Sequence, residues 1–406
     1  MKRMTHRRGN LATAVALCVL GIAGLSMWSG VGMRDARADA AFYSADDAQA
    51  NGPPGSIIRL EPMDGAPLGA SAYRVLYRSI GVHGEPIAVS GVIVIPPGPA
   101  PAGGRPVVAW AHPTTGVVPR CAPSEARFVF QTMMGLRDMV LHGYIVAATD
   151  YPGLGTAGPH PYLVGASEAH AVIDIVRAAH ALPGADASAS YAVWGHSQGG
   201  QAALFTGMLS KSYAPELNLV GVAAAAPASD LKTLLRDDAD TDGGRNVTAM
   251  TLWSWQRVFG APIDQVVEPA AMPAVDALSN ECIESPLDMV ERHYSQKPLQ
   301  QQFLSVKDIT TIEPWKSLLE QNEAGTLPPD LPVFIAQGAA DRLVLPTVTQ
   351  AYVQRLCDAG SRVDYVELPG VHHGFIGSDS AVQAVDWMAD RFAGNPAPDS
   401  CVRTSH

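Results

Sequence analysis

Charge is sparse in this 406-residue chain: Asp, Glu, Lys and Arg make up 17% of it, against about a quarter in ordinary soluble domains. Basic residues are fewer still, 28 Lys and Arg against 39 Asp and Glu, for a net charge of −11. Phosphate contacts need clustered Lys and Arg, so nucleic acid is excluded as a partner. Cysteine occurs five times, and no CxxC or HExxH is present, so no zinc signature is read. There is no internal repeat and no low-complexity tract. Apart from one run near the start, no stretch approaches the ~18 apolar residues of a membrane span. What the chain does have is 47% hydrophobic residues, enough to bury a large core. Its oligomeric state is not legible.

The N-terminus reads as a leader. Lys2, Arg3, Arg7 and Arg8 precede an apolar run from Leu11 to Leu25, and Ala38-Asp39-Ala40 offers a small-x-small cleavage site. Cleavage falls after Ala40, with Ala36-Arg37-Ala38 as the alternative register and an uncleaved anchor as the other reading. Arg7-Arg8 leaves general and twin-arginine export both open, although Asn10 stands where the latter favours a bulky apolar residue. Cys18 follows Leu17 rather than a small residue, which argues against a lipoprotein anchor. Six basic and two acidic residues lie in the first 40, so the rest carries 22 against 37. Export, to the periplasm, the cell envelope or the medium, makes the remaining cysteines readable. Cys121, Cys282, Cys357 and Cys401 are an even set in an oxidising compartment, with three possible pairings.

Residues 41–70 are Pro- and Gly-rich and read as an extended N-terminal arm. Tyr73 to Arg78 and Ile87 to Pro96 look like a strand pair, turning at Gly81-Val-His-Gly84. From Pro106 onward short apolar runs alternate with helical stretches: Val107–Trp110, helix Ala126–Leu141, Tyr144–Ala148, helix Ser167–Leu182, Tyr191–Trp194, helix Gln198–Ser210, Leu219–Ala223. The alternation resumes with Pro332–Ala336, helix Thr347–Ala359, Val363–Val366 and helix Ala381–Phe392. Such alternation predicts a mostly parallel sheet with helices on both faces. The core therefore divides into 71–228 and 327–406. The interruption, 229–326, reads as a mainly helical cap over the C-terminal strand ends, where such sheets bind ligands. Its Trp253, Trp255 and Phe259 serve either an apolar acyl site or simply the cap's own core.

Gly195-His-Ser-Gln-Gly199 follows one predicted strand and opens a helix, the setting that a nucleophile elbow requires. The glycines suit a tight, strained turn between closely packed elements. An ordinary turn serine is the bland reading, and the strand–turn–helix context weighs against it. A serine needs a base, and the base an orienting acid. Asp341 follows strand Pro332–Ala336, and His372 and His373 follow the last strand, in the Ser, Asp, His order of α/β-hydrolases. A loop carboxylate or helix cap is the bland reading of Asp341. Gly374 lets the chain turn to present His373 as base, with His372 the alternative. The oxyanion donors would be the N–H of Gln198 and, since Pro113 has none, that of Thr114.

The runs Trp110-Ala-His-Pro-Thr-Thr-Gly116, Cys121-Ala-Pro-Ser124, Thr149-Asp-Tyr-Pro-Gly-Leu-Gly155 and Gly195-His-Ser-Gln-Gly-Gly200 together resemble the secretory lipase family, from about Tyr73 to Cys401. The resemblance implies an α/β-hydrolase fold with a large cap, cleavage of carboxylic esters including acylglycerols, and the triad Ser197, Asp341 and His373. It implies no cofactor and no metal, and it pairs Cys121 with Cys282 and Cys357 with Cys401. One departure is Pro113, where bacterial relatives usually carry glycine.

Two further motifs are weak. Asp238-Ala-Asp240-Thr-Asp242-Gly243 begins like a calcium loop, but Ala249 stands where the bidentate Glu belongs. Asn246-Val-Thr248 is a glycosylation acceptor pattern. The expectation is an exported esterase or lipase. A peptidase or amidase with the same triad, and a non-catalytic binding protein on the same fold, are the alternatives.

Overall fold

The computed structural model describes residues 40–237, 241–283 and 286–401. The chain divides into two units, 1–44 and 45–406. In the first, residues 40–43 form one helical turn, and the leader itself, 1–39, lies outside the described residues. The second unit holds a nine-stranded sheet. Its strands are β1 (Ile57–Met63), β2 (Ser71–Ile80), β3 (Pro86–Ile95), β4 (Arg105–Ala111), β5 (Ile145–Thr149), β6 (Ala187–His196), β7 (Asn218–Ala225), β8 (Val333–Gly338) and β9 (Val363–Leu368). The spatial order is β1-β2-β3-β5-β4-β6-β7-β8-β9. The pairings from β1 to β3 and of β3 with β5 are antiparallel, and every pairing from β5 to β9 is parallel.

The parallel strands are near-continuous apolar runs because both of their faces are covered. All of β5 and β8, Val107–Ala111 of β4 and Tyr191–His196 of β6 are buried. Helices cover the two sides: Val222 of β7 meets helix Gln198–Tyr213 at Gly207, whereas its neighbour Gly221 opens toward Trp387 of helix Ala381–Phe392. Adjacent strand residues point to opposite faces, so these helices lie on opposite sides of the sheet. Since β4, β6, β7, β8 and β9 all run the same way, the loops after Ala111, His196, Gly338 and Leu368 emerge at one end of the sheet.

Between β7 and β8 the described part of 229–326 adds no strand to the sheet. It is mainly helical, with Leu231–Asp237, Asp242–Phe259, Met272–Ser279, Pro286–Ser295, Lys297–Gln301 and Trp315–Gln321. Among the described residues no helix is long and apolar enough to cross a membrane.

Two expectations are corrected and one element is added. Residues 41–70 are not only an arm, for Ile57–Met63 forms β1 and pairs with β2 from Ile57↔Tyr77 to Met63↔Ala72. Its alternation is weak and Pro62 sits within it, both tolerable because β1 is an edge strand. The helix expected over Ala126–Leu141 is broken into Val129–Thr132 and Leu136–Leu141, with Gly135 at φ 82° where a continuous helix would need negative φ. A short helix not foreseen, His373–Asp379, begins at the second histidine of the pair.

The last described residues are tied to the edge strand. Ser400 N–H donates to Val363 O at 2.7 Å, and Cys401 is bonded to Cys357 with Cα atoms 5.5 Å apart. That bridge closes a loop of 44 residues containing His373; in the chain-entropy model such closure contributes up to about 4 kcal/mol. Replacing both cysteines by serine is expected to lower Tm by about 5–10 °C in differential scanning calorimetry. An unchanged Tm would show that the closure adds nothing to stability.

Candidate active site

The elbow is built before any chemistry. Ser197 joins β6 to helix Gln198–Tyr213 at φ 59°, ψ −116°, a region that non-glycine residues avoid. Neighbouring backbone holds it there: Ser197 N–H donates to Ala225 O at 2.9 Å, and Ala228 N–H donates to Ser197 O at 3.2 Å. The turn also needs bare backbone. A Cβ on Gly199 would lie 1.9 Å from Ala111 O, and one on Gly195 would lie 2.0 Å from Gly199 O.

The hydrogen-bond geometry joins all three residues of the expected triad. His373 Nδ1 is 2.8 Å from Asp341 Oδ2, and its Nε2 is 2.8 Å from Ser197 Oγ. Asp341 is buried, and its Oδ1 is occupied by Leu343 N–H at 2.9 Å and Val344 N–H at 3.0 Å. Those two donors fix the carboxylate plane, which leaves Oδ2 for His373 and, at 3.3 Å, Gln337 Nε2. A carboxylate only accepts, so Nδ1 carries the imidazole proton and Nε2 is left to accept from Ser197 Oγ–H. His372 faces solvent, with Nδ1 2.9 Å from Ala340 O. Of the adjacent histidines, it is His373 that meets the serine.

His196, in the variable position of the elbow, is buried with its ring 5.0 Å from that of His373. Its Nε2–H donates to His373 O at 2.9 Å. Burial pushes its pKa down to about 3, so it stays neutral and sets no positive charge against His373.

The loop after β4 accepts its proline. No residue from His112 to Thr115 takes a positive φ, so the fixed φ of Pro113 is compatible with the path of the chain. His112 is buried beneath the loop with Nδ1 2.6 Å from Pro113 O, and burial pushes its pKa down to about 4. Thr114 Oγ1 lies 2.9 Å from the hydroxyl of Tyr162, a fully buried residue. The Gln198 side chain points away from the serine: its Nε2 donates to Glu168 Oε1 at 2.8 Å and to His160 Nε2 at 2.9 Å. Burial raises the Glu168 pKa to about 8 and lowers that of His160 to about 3. Tyr162, His160 and Glu168 had no motif to mark them. Only the spacing of the Pro- and Gly-rich stretch 152–165 after β5 could have drawn attention to that loop.

Ser197, His373, Pro113 and Thr114 share a cavity of about 480 Å³ with residues of the β7–β8 connection, among them Val247, Met250, Ile283, Asn246, Arg292 and Gln296. From this connection the apolar lining comes from Val247, Met250 and Ile283, with Met134 and Leu343 adding to it from the core. Of the two readings of Trp253, Trp255 and Phe259, the structure favours the second, for none of them lines this cavity. Trp255 is buried, stacks on Trp315 at 6.5 Å and donates to Tyr162 O at 2.8 Å; Trp253 donates to Asp276 Oδ1 at 2.9 Å; Phe259 packs edge-on to Trp255. They form the internal core of the connection, because rings that large fill its interhelical space before they can face outward.

The two weak motifs are also placed. Asp238 and Asp240 lie outside the described residues, while Asp242 opens the helix that Thr241 caps and accepts from Arg245 at 2.7 Å and Gln300 at 2.9 Å. Ala249 is buried in that helix. Among the described residues no three His, Cys, Asp or Glu side chains gather to hold a metal ion. Asn246 is half-buried at the cavity and its Nδ2 donates to Asp242 O at 2.7 Å and to Gln296 Oε1, so both of its amide hydrogens are engaged. The second disulfide, Cys121–Cys282, has Cα atoms 5.3 Å apart. Beside it Ile283 N–H donates to Thr115 O at 2.7 Å, so the bridge ties the loop after β4 to the cavity's apolar wall.

With that geometry in view, comparisons place the chain among known proteins. The family model described as "Secretory lipase" matches residues 124–400. Lipase A of Arthroderma benhamiae is 25% identical over 368 residues, spanning 86% of this chain and 75% of that protein. A Mycobacterium tuberculosis protein named a probable inactive lipase is 25% identical over 391 residues, spanning 90% of this chain and 85% of its own. The X-ray structure of Candida antarctica lipase A is similar with a TM-score of 0.73 at 18% identity, covering 89% of this chain and 87% of that one, a likeness of fold. The nine-stranded, mostly parallel sheet and the matched family model give one conclusion: this chain belongs to the secretory lipase family, on an α/β-hydrolase fold.

Proposed function

We propose that this protein is an exported serine hydrolase that cleaves carboxylic esters, acylglycerols or similarly apolar esters, through an acyl-enzyme on Ser197. The observation that carries the reading is the unbroken chain Asp341 Oδ2, His373 Nδ1, His373 Nε2, Ser197 Oγ, with both contacts at 2.8 Å, at a cavity large enough for an acyl group. The same continuity argues for activity here even though one relative bears the name of an inactive lipase.

In this reading Ser197 Oγ attacks the ester carbonyl while His373 Nε2 takes its proton, and Asp341 stabilises the imidazolium formed. The tetrahedral oxyanion is met by the N–H of Gln198, at the start of its helix, and by that of Thr114. His373 returns the proton to the leaving alcohol, and water then repeats the sequence to release the acid. Residues 229–326 act as the cap, and Val247, Met250 and Ile283 receive the apolar part of the substrate. The basic, apolar leader, the two disulfides and the secretory character of the family support export.

Ser197→Ala is expected to drop hydrolysis of p-nitrophenyl butyrate by about 10³-fold or more while the circular-dichroism spectrum stays native. A folded variant with near-normal turnover would overturn the mechanism. His373→Ala should match that loss, since triad members act as a unit, whereas His372→Ala should stay within about threefold of the parent; the reverse order would move the base to His372. Cys121→Ser with Cys282→Ser should change the ratio of palmitate to butyrate ester hydrolysis as well as lower Tm, because the bridge holds the apolar wall to the loop carrying Thr114. An unchanged chain-length profile would leave that bridge as a structural staple only.

A further inference from the structure

The contact between Thr114 Oγ1 and Tyr162 OH, 2.9 Å long, has a direction that the surroundings decide. Tyr162 is 1% exposed, and among the described residues its hydroxyl has Thr114 as its hydrogen-bond partner. A phenol carries one proton and a threonine hydroxyl carries one. If Thr114 donated, the Tyr162 proton would be buried with no acceptor, a loss that typically costs about 1–3 kcal/mol. If Tyr162 donates, both groups are satisfied, and the Thr114 proton is released toward the cavity that Thr114 lines together with Ser197 and His373. Burial also raises the Tyr162 pKa, keeping its donor proton in place through the working pH range.

Tyr162 cannot easily turn away. Its N–H donates to Ser254 Oγ at 3.1 Å and its carbonyl accepts from Trp255 Nε1 at 2.8 Å, both on helix Asp242–Phe259. The threonine is restrained as well, because the next residue, Thr115, donates through Oγ1 to Cys121 O at 2.8 Å and accepts from Ile283 N–H at 2.7 Å. Donor and acceptor are thus fixed from separate segments of the chain.

We propose that the Thr114 side-chain hydroxyl is a catalytic donor to the oxyanion, in addition to the backbone N–H groups, and that Tyr162 is the positioning residue that aims it. The inference rests on the serine-hydrolase reading above. It adds a donor whose proton is already directed before substrate arrives, the arrangement in which such a group is most effective. It also links the β7–β8 connection to the chemistry, since the helix that carries Ser254 and Trp255 holds the tyrosine.

The test is a double-mutant cycle on the full chain with p-nitrophenyl butyrate, reading kcat and KM separately. Thr114→Val keeps the backbone N–H and the shape but removes the hydroxyl, and should lower kcat by about 10²-fold with KM within about twofold. Thr114→Ser should restore most of the rate. Tyr162→Phe should lower kcat by about tenfold in the Thr114 background and have no further effect in the Thr114→Val background. Thr114→Val with parental kcat, or a Tyr162→Phe effect that persists undiminished in Thr114→Val, would overturn the proposal. If Tyr162→Phe fails to fold, the Val and Ser variants at Thr114 still decide it. Ser197→Ala run alongside separates the two readings: a dead Ser197→Ala beside a fully active Thr114→Val rejects this inference alone, and an active Ser197→Ala rejects the mechanism beneath both.

Discussion

Everything at the site depends on one strained residue. Ser197 sits at φ 59°, ψ −116°, and a non-glycine residue held in such a region typically costs about 1–3 kcal/mol. The sheet and the helix over-determine it: Ala225 O takes its N–H, Ala228 N–H takes its carbonyl, and Gly199 lies so close to the Ala111 carbonyl that no side chain could intervene. The strain turns Oγ out of the sheet and into the cavity, and it makes the next residue, Gln198, the first of a helix whose N–H groups lack internal partners. Relaxing that turn would lose the position of the serine, the meeting with His373 and the orientation of the helix start together.

Around this point three buried histidines carry no positive charge. His112, His160 and His196 are all buried, and burial lowers the pKa of each to about 3 or 4. They remain uncharged, satisfying carbonyls and amides without repelling an imidazolium on His373. Asp341 is held by two backbone N–H groups and Gln337, which fix the position of the carboxylate oxygen that meets His373. Charge enters the cavity from its wall, at Arg292 and Asp242, while these three histidines are neutral groups whose hydrogen bonds fix orientation.

The turn at Ser197 and the chain order of Ser197, Asp341 and His373 were legible because their signals are local. Gly195 and Gly199 are demanded by steric contacts within a few residues, and apolar runs followed by a loop acid and a loop histidine reflect a parallel sheet whose strand ends converge. What was not legible depended on distant partners. β1 becomes a strand only because β2 offers it an edge, and Pro62 disguises it. Trp253, Trp255 and Phe259 have the composition of a binding wall, but Trp315 and Tyr162 claim Trp255 for the interior. Asn246 reads as an acceptor for a glycan until helix Asp242–Phe259 turns it to the cavity.

By itself, then, the sequence determined the class of fold, the strand–turn–helix at Ser197 and the place of Asp341 in its loop, since each follows from backbone sterics or from hydrophobic period over short stretches. It narrowed the histidine facing Ser197 to two neighbours and the four cysteines to three pairings, and residues alone went no further. Tertiary structure decided the rest. The helix that starts at His373 turns one ring toward Ser197 and leaves His372 in solvent, and the approach of residues 161 apart brings Cys121 to Cys282. The direction of the Thr114 hydroxyl belongs to the same category, because whether a proton has an acceptor is a property of a buried three-dimensional neighbourhood and of no single segment.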